Sequence, residues 1–376
     1  MKILLIEFRD MTHPEAGGAE VVLLETFKRI VAAGHSVDYL CCRYPGSKSE
    51  EYREGIRILR RGIQPCFNHA APLAYHRELR GNGYDVIIEG IDKLPFFMPL
   101  HERKVPVLCI VPHLFGTAVF HEASFPVGAY VYAHEWFIPF VYRNCLFSVL
   151  SQGTRDDLRG RGIPGDHIRV IHSGLSQEHY SAPEKKPFAD HPLLVYLGRV
   201  KKYKGIEIGI RAVERLRGKY PGIECRIVGT GDHLPQLRRF VSRLGLEKNV
   251  TFPGFIPEQE KVELLQRAHL LLYTSPKEGW GLSVIEANVC GTPALASDSP
   301  GLRESVVDGK TGFLVPHGDV QALAGRMDAL LSDPCLYARM RAAAVEWGRG
   351  FTWERMTQET LALIGQAREQ FRARSG

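Results

Sequence analysis

The feature that most constrains the fold is an alternation of short apolar runs with longer amphipathic stretches along all 376 residues. The first series of runs is KILLIEF, SVDYLCC, IRILR, YDVIIEG, PVLCIV, FSVLS and IRVIHSG. The second series is PLLVYLGRV, ECRIVGTG, NVTFPGF, LLLYTSP, TPALAS and GFLV. Strands that alternate with helices are typical of parallel sheets with helices on both faces. The sequence therefore predicts an α/β fold with two Rossmann-like, doubly wound parallel sheets.

The boundary between the two series is a segment rich in proline and charge, SAPEKKPFADHP, over residues 181–192. Such a composition is typical of a linker. We therefore expect a first domain over residues 1–181 and a second over residues 182–350, facing each other across a central cleft. Ligands of such sheets bind at the carboxyl ends of the strands. The last stretch, residues 351–376, has the pattern of an amphipathic helix.

Composition narrows the class of protein. The net charge of +6 and the pI near 8.8 suit phosphate-bearing ligands or an anionic membrane surface, but they are too weak to indicate nucleic-acid binding. The eight cysteines include no Cys-x-x-Cys pair, so neither a zinc site nor a disulfide framework is indicated. Met1 leads directly into a predicted strand, and no apolar run is long enough to cross a bilayer. We expect a cytoplasmic protein without a resident metal.

Two carboxylates stand out in the segment SPKEGWGLSVIEANVCG, which follows a predicted strand and begins a helix. Gly279 and Gly281 let the backbone approach a ligand, and a helix start favours an anion such as a diphosphate. Glu286 lies about one turn inside the helix, and helical side chains lean towards the N-terminus. Its carboxylate can therefore accept hydrogen bonds from sugar hydroxyls, such as those of a ribose. Glu278, before the first turn, would face the group beyond the phosphates.

A diphosphate also needs cations. Arg199 and Lys204 follow the first strand of the second domain, so both should lie at the carboxyl edge of the same sheet. Cations there can neutralise the charge that grows on a departing phosphate. The neighbouring Lys201 and Lys202 are interpreted as solvated surface.

The run from Gly198 to Leu330 resembles the C-terminal domain of retaining GT-B glycosyltransferases of the glycosyl transferases group 1 type, family GT4. The motifs that carry the resemblance are Gly198-Arg199, Lys204-Gly205, VGTG, Phe252-x-Gly254, the EGWGL segment with Pro293, and GLRESVVDGKTGFLV. The resemblance implies retaining transfer of a hexosyl group from a UDP- or GDP-sugar to a glycan, glycolipid or small-molecule acceptor, with no metal required.

The resemblance also implies roles for residues. Glu278 would contact the donor sugar and Glu286 the ribose, while Arg199 and Lys204 would bind the diphosphate. The other residues predicted to contact or border the nucleotide-sugar in this domain are Gly198, Gly229, Phe255, Gly279, Gly281 and Leu282. It further suggests that the helix over residues 351–376 packs back on the first domain.

The first domain matches the family less closely. Gly17 and Gly18, in HPEAGGAE, resemble the loop whose backbone N–H groups approach the diphosphate, although the residues alone fit a plain helix entrance equally well. His113, in CIVPHLFG, resembles a histidine near the donor sugar, but Pro112 stands where a second histidine is expected. Three other histidines are interpreted as structural or surface residues: His101, His121 and His134.

Alternatives remain at this point. One alternative is a sugar-phosphate phosphorylase or epimerase on the same scaffold, although the EGWGL motif argues against an epimerase. Another is a non-catalytic subunit that binds a nucleotide-sugar. The acceptor is open. For the aromatic-rich stretch over residues 123–147, the favoured interpretation is a core helix. The alternative is an acceptor-lining or membrane-facing helix, which would allow peripheral contact with the inner face of the membrane.

Overall fold

The computed structural model describes residues 1–92, 94–186 and 191–375, without the side chains of residues 121, 122 and 375. The chain divides into two compact units. Unit 1 comprises Met1–Gly174 and Trp353–Gly376, and unit 2 comprises Leu175–Thr352. The linker expected over residues 181–192 therefore falls inside unit 2, and its residues 187–190 lie outside the described part of the chain.

The described residues of unit 1 form an eight-stranded sheet in the order β3-β4-β2-β1-β5-β6-β7-β8. The strands are β1 (Lys2–Ile6), β2 (Ser36–Arg43), β3 (Glu50–Arg53), β4 (Ile56–Ile63), β5 (Val86–Gly90), β6 (Val107–Val111), β7 (Leu146–Val149) and β8 (Ile168–Val170). All neighbours pair in parallel except β3 and β4. The central strands are buried on both faces, which is why they are nearly continuous apolar runs in the sequence.

Helices connect these strands. They are α1 (Gly18–Ala32), α2 (Phe67–Ala74), α3 (Met98–His101), α4 (Val119–Glu122), α5 (Phe125–Trp136), α6 (Ile138–Val141) and α7 (Gln152–Gly160). Shorter turns are the 3-10 turns Gln64–Cys66, Arg80–Asn82, Gly116–Ala118 and Gly165–His167 and the π turn Tyr75–Leu79. Because α2 follows β4, α3 follows β5 and α5 follows β6, the segments that begin these helices lie at the carboxyl edge of the sheet.

The described residues of unit 2 form a six-stranded sheet in the order β11-β10-β9-β12-β13-β14, and these neighbouring strands all pair in parallel. Its strands are β9 (Leu193–Leu197), β10 (Glu224–Val228), β11 (Val250–Gly254), β12 (Leu270–Tyr273), β13 (Ala294–Ser297) and β14 (Gly312–Val315). Its helices are α8 (Ile206–Leu216), α9 (Leu234–Arg243), α10 (Glu258–Arg267), α11 (Leu282–Val289), α12 (Leu302–Ser305), α13 (Val320–Ser332) and α14 (Pro334–Arg349), with a 3-10 turn at Lys202–Lys204. The predicted α/β fold is confirmed.

The last helix, α15 (Trp353–Ser375), belongs to unit 1. It packs on α1, where Arg29 Nε donates to a Glu354 carboxylate oxygen at 3.0 Å, and further along Arg368 pairs with Asp85 at 2.7 Å. Phe351, which was expected in this helix, instead packs in unit 2 against the ring of Trp280, with centroids 5.0 Å apart.

The interpretation of residues 123–147 as a core helix is wrong. Within α5 only Gly128 and Glu135 are buried. Along α5 and α6, Phe125 is 75%, Trp136 56% and Phe140 62% exposed. These helices therefore present aromatic side chains to solvent, which the sequence pattern alone could not distinguish from packing in a core.

The described residues include neither a membrane-spanning helix nor a cluster of metal ligands. No helix among them is both long and apolar enough to span a membrane. No three histidine, cysteine, aspartate or glutamate side chains in the same residues are arranged to hold a metal ion. The cysteines are free thiols, of which Cys66 and Cys335 are exposed and the other six are buried.

Candidate active site

The loops after β9 and β10 of unit 2 approach each other through glycines. Gly229 has a φ of +131°, and a Cβ built on it would lie 1.9 Å from the carbonyl oxygen of Gly198. No other residue type fits that contact without moving the backbone. These glycines therefore shape the carboxyl edge of the sheet.

The start of α11 also depends on a glycine. Gly281 precedes the helix with a φ of +93°, and a Cβ there would lie 2.8 Å from the Ser305 hydroxyl. A helix start leaves N–H groups without an acceptor in the preceding turn, and such groups can bind an anion. At α11 the Val284 N–H already donates to the Gly281 carbonyl at 2.9 Å, so Leu282 and Ser283 are the residues whose N–H groups begin the helix. Leu282 is the first residue of the helix, and Gly279 lies in the half-exposed loop before it.

Lys204 and Glu278 form an ion pair beside this helix start. Lys204 Nζ lies 2.5 Å from Glu278 Oε1, and the lysine is only 6% exposed. Burial disfavours the charged ammonium, but the adjacent Glu278 carboxylate, together with Tyr203 and Tyr196, more than compensates, so the pKa of Lys204 lies above its ordinary value. The lysine is therefore a buried, permanent cation at neutral pH.

Glu286 is held by two side chains that sequence reasoning missed. Its Oε1 accepts hydrogen bonds from Lys261 Nζ at 3.0 Å and from the Tyr180 hydroxyl at 3.1 Å. Lys261, on α10, also pairs with Glu258 at 3.0 Å, and the Tyr180 hydroxyl donates to Glu258 as well. Burial lowers the pKa of Lys261, but Glu286 and Glu258 more than compensate, so the net shift is upward.

The remaining predicted residues of unit 2 lie around this centre. Arg199 is an exposed side chain in the loop after β9, and its carbonyl accepts from the Tyr196 hydroxyl at 2.9 Å. Lys201 pairs with Asp232 at 2.7 Å, in keeping with a surface position. Phe255 follows β11 and is 82% exposed, so its ring is available to a ligand.

In unit 1 the glycine pair begins α1. The backbone N–H of Gly17 donates to Glu20 Oε2 at 2.7 Å, so this donor already has a carboxylate partner. Among the described residues, a Cβ on Gly18 would meet no atom within 4 Å apart from its chain neighbours and its own helix backbone, so open space lies beside it. A phosphate at Gly17 would have to displace Glu20, which the sequence pattern did not predict.

His113 lies just after β6, at the carboxyl edge of unit 1's sheet, and its ring packs edge-on against Phe115 with centroids 5.1 Å apart. His101 contacts His76, with Nδ1 and Nε2 3.3 Å apart. The side chain of His121 lies outside the described residues. His134 stacks on Phe97, with centroids 5.7 Å apart.

Two cavities lie away from these loops. One, of about 230 Å³ in unit 1, is lined by Val107 and Leu146, which begin β6 and β7, and by Phe371 of α15. The other, of about 420 Å³ in unit 2, is lined by His269, just before β12, and by Arg341 of α14. Both are therefore at the amino ends of strands, whereas ligands of such sheets bind at the carboxyl ends.

A glycine-led helix start with a lysine-paired carboxylate on either side suits a ligand with phosphate in its middle and hydroxyl groups at both ends. Together with two parallel-sheet units, it defines the class of two-domain α/β enzymes that includes the GT-B glycosyltransferases. The family model described as glycosyl transferases group 1 matches residues 180–347, and that described as glycosyltransferase family 4 matches residues 16–179. The chain belongs to this GT4-like group 1 family of glycosyltransferases, which are transferases.

Two curated relatives illustrate the similarity. A GDP-mannose-dependent alpha-(1-6)-phosphatidylinositol monomannoside mannosyltransferase of Mycolicibacterium smegmatis is 34% identical over 194 residues, covering 50% of this chain and 51% of that protein. A D-inositol 3-phosphate glycosyltransferase of Kribbella flavida is 33% identical over 223 residues, covering 55% of this chain and 52% of that protein. The chain thus spans about half the length of the curated relatives it matches.

Solved structures match over nearly the whole chain. Sucrose-phosphate synthase of Thermosynechococcus elongatus has a TM-score of 0.82 at 23% identity, covering 97% of this chain and 98% of that one. Anabaena HepE, solved with UDP and glucose, has a TM-score of 0.78 at 19% identity, covering 97% of this chain and 100% of that one. At these identities the likeness shows the fold alone, which is GT-B as predicted.

Proposed function

We propose that the chain is a retaining glycosyltransferase that moves a hexosyl group from a UDP- or GDP-sugar to a glycan, glycolipid or small-molecule acceptor without a metal. The observation that carries this proposal is the two partly buried ion pairs beside α11, Lys204 with Glu278 and Lys261 with Glu286. They put one carboxylate on each side of a helix start. That arrangement suits a nucleotide-sugar, because its diphosphate lies between two hydroxyl-bearing rings.

In this proposal the diphosphate binds at the N–H groups that begin α11, with Lys204 and Arg199 as its cations. Glu278 accepts from hydroxyls of the transferred sugar and Glu286 from the ribose. Lys204 already pairs with Glu278. In this proposal its ammonium group therefore contacts both the carboxylate that holds the sugar and the departing phosphate. The raised pKa of Lys204 keeps it charged throughout.

The reaction breaks the bond between the anomeric carbon and the diphosphate oxygen. Lys204, Arg199 and the helix start stabilise the negative charge that this leaves on the phosphate. The acceptor oxygen bonds to the anomeric carbon on the face that the diphosphate leaves, and the hydroxyl proton passes to the departing phosphate. His113, Gly17 and Gly18 are proposed to contact the donor from unit 1.

Names of relatives guide the choice of substrates. One curated relative is named for GDP-mannose, and HepE is solved with UDP, so both bases belong in the first screen. The two curated relatives described above have names that contain an inositol compound, in one case a phosphatidylinositol lipid. We therefore propose a sugar or cyclitol acceptor, free or linked to a lipid.

Peripheral contact with the inner face of the membrane is part of the proposal. Phe125, Trp136 and Phe140 are large exposed side chains on consecutive helices, and exposed aromatic surface of this kind suits a lipid interface. Flotation with anionic liposomes tests it. The parent should float with the liposomes and a variant with all three residues changed to serine should stay behind, whereas equal flotation of both would contradict the contact.

Activity is tested by nucleoside diphosphate release from a panel of UDP- and GDP-sugars, with and without sugar and cyclitol acceptors and in the presence of EDTA. A transferase releases the diphosphate faster when an acceptor is added, and the anomeric configuration of the product, read by NMR, tests retention. A phosphorylase would require inorganic phosphate instead. Tight nucleotide binding without turnover on any acceptor would favour a non-catalytic subunit.

A further inference from the structure

Five side chains of unit 1 form a cluster, the ring platform, that the roles proposed above do not use. Its members are Asn68, His69, Phe97, Tyr130 and His134. They come from α2, from the residue before α3 and from α5, segments that follow β4, β5 and β6. The platform is therefore at the carboxyl edge of the sheet, where such folds bind ligands.

Aromatic rings form one part of the platform. The rings of Tyr130 and His134 have centroids 4.1 Å apart, and His134 stacks on Phe97 at 5.7 Å with 29° between the planes. Tyr130 is 39% exposed, and Phe97 and His134 are half-buried. The face of an aromatic ring is electron-rich and attracts the positive edge of C–H groups. A ligand with a flat face of C–H bonds suits these rings.

Hydrogen-bonding groups form the other part. Asn68 Nδ2 donates to the Tyr130 hydroxyl at 2.8 Å, and His69 Nε2 lies 2.9 Å from the same hydroxyl. Asn68 is only 5% exposed, yet within the described residues its Oδ1 has no hydrogen-bond donor. Leaving a buried acceptor unpaired is unfavourable, and a ligand hydroxyl would remove the cost. His69 is exposed beside it and can rotate aside to admit one.

His134 provides a second hydrogen-bond acceptor. Its Nδ1 lies 2.8 Å from the carbonyl oxygen of Tyr130. A carbonyl only accepts hydrogen bonds, so Nδ1 carries the proton and Nε2 of the neutral ring is an acceptor. Among the described residues Nε2 has no donor. The platform thus presents two hydrogen-bond acceptors, Asn68 Oδ1 and His134 Nε2, beside aromatic rings.

The backbone at Phe97 is held in an unusual conformation. Its φ is +57°, in the left-handed region that bulky residues rarely adopt. Its N–H donates to the Tyr142 hydroxyl at 2.7 Å, and that hydroxyl in turn donates to the fully buried Glu89. Glu89 also accepts from the N–H of Phe96 at 2.6 Å. A buried network therefore fixes the strained residue that presents the ring to the platform.

We propose that the ring platform binds the acceptor as a neutral, polyhydroxylated six-membered ring, a pyranose or a cyclitol. Its C–H face packs on Phe97 and His134, and two of its hydroxyls donate to Asn68 and His134. None of the five side chains is a carboxylate, ammonium or guanidinium, so the ring itself is uncharged, and any phosphate on the acceptor lies elsewhere. This inference rests on the proposed function, because it supplies the second substrate of that reaction.

The test measures ring binding directly by saturation-transfer NMR, with myo-inositol and methyl α-mannopyranoside as probes and glycerol as the linear control. Phe97→Gly is the most informative variant, because glycine adopts the left-handed conformation freely and the ring is removed without backbone strain. Tyr130→Ala removes a second ring. Tyr132→Ala is the matched control, because Tyr132 lies on the same helix but packs against Phe120, with centroids 5.9 Å apart.

We expect saturation transfer to both rings and none to glycerol, with a loss of at least tenfold in Phe97→Gly and Tyr130→Ala and none in Tyr132→Ala. In turnover assays the first two variants should raise the KM for the acceptor substrate at least tenfold, whereas Tyr132→Ala should leave it unchanged. A folded parent that gives no transfer to either ring, or equal signals from parent and platform variants, overturns the inference. Nucleotide binding is measured separately. Absence of nucleotide binding contradicts the proposed function, whereas the ring platform is judged from ring binding alone.

Discussion

The two carboxylates of unit 2 differ in what surrounds them. The sequence pattern predicted Glu286 as a ligand contact because a charged residue in an apolar helix needs a partner, and Glu278 because it lies in the loop before the first turn of that helix. It did not predict the partners. Lys261 lies three residues after Glu258 in a polar helix, which is the pattern of an ordinary surface pair. Tyr180 is 106 residues away in sequence, and no local pattern connects it to Glu286.

These partners change how Glu286 should be tested. Replacing it by alanine would leave Lys261 with a single carboxylate in a partly buried site, so loss of stability and loss of binding would be confounded. Glu286→Gln keeps the shape. We expect it to weaken nucleoside diphosphate binding by about 1–3 kcal/mol, the cost typical of a lost charged hydrogen bond. Calorimetric titration measures this, with the exposed Glu263→Gln on α10 as control, and an unchanged affinity would exclude the ribose role.

The cations should act mainly on turnover, because phosphate charge grows as the bond breaks. We expect Lys204→Gln and Arg199→Gln each to lower kcat at saturating donor on the order of a hundredfold, as for other lost transition-state donors. Lys204→Gln should also lower the melting temperature, because it leaves the partly buried Glu278 unpaired, whereas Arg199 is exposed. The exposed Lys202→Gln is the matched control. Normal kcat in both variants would remove these residues from the mechanism.

At the scale of elements, sequence prediction worked where one physical rule dominated. The buried parallel strands are continuous apolar runs, and they were located correctly. The edge strand β3 was missed because its sequence, EEYR, is polar and mostly exposed. Helix α14 was missed because its pattern is weak, with Tyr337 and Met340 as its large buried side chains. Helix α5 was misjudged because an apolar segment has the same sequence pattern whether it packs in the core or faces solvent.

Glu89, a buried residue of β5, should make the stability of the protein depend on pH. Burial raises the pKa of this carboxyl from 4.5 to about 7. The folded protein keeps the proton over that interval while the unfolded chain releases it, so the stability that Glu89 contributes is full below pH 4.5 and is lost as the pH rises towards 7.

Glu89→Gln should remove this loss. Between about pH 5 and about pH 8 we expect the urea midpoint of the variant to fall less than that of the parent. The exposed Asp156→Asn, on α7 of the same unit, is the control and should follow the parent. Parallel curves for the parent and Glu89→Gln would show that Glu89 is not the group responsible.

Helix α15 should be needed for the stability of unit 1. It buries Trp353, Met356, Leu363 and Ile364. Each such side chain contributes about 1.5–3 kcal/mol, and a typical domain is stable by only about 5–15 kcal/mol. A chain ending at Thr352 should therefore lose hydrogen-exchange protection in β1 and β5 while β9 and β12 keep it. Protection lost equally in both sheets, or in neither, would contradict this.

At the scale of the whole molecule, the candidate residues are divided between the units. Arg199, Lys204, Glu278 and Glu286 belong to unit 2, whereas Gly17, Gly18, His113 and the ring platform belong to unit 1. Unit 2 is one continuous segment, and unit 1 is completed only by the last helix. The proline-rich segment over residues 181–192 was interpreted as the linker, whereas unit 2 already begins at Leu175. Composition does not reveal where packing contacts change from one unit to the other.

Because the proposed diphosphate and ribose contacts are within one continuous segment, that segment alone should bind the nucleotide. We expect residues 175–352, expressed separately, to bind UDP or GDP with nearly the affinity of the full chain and to transfer no sugar to any acceptor. Calorimetry on both proteins measures this, and Glu286→Gln made in the isolated segment should weaken binding as it does in the full chain. Cooperative melting of the segment establishes that it is folded. A folded segment that fails to bind either nucleotide would mean that unit 1 supplies essential donor contacts, and Gly18 and His113 would then be the first residues to replace.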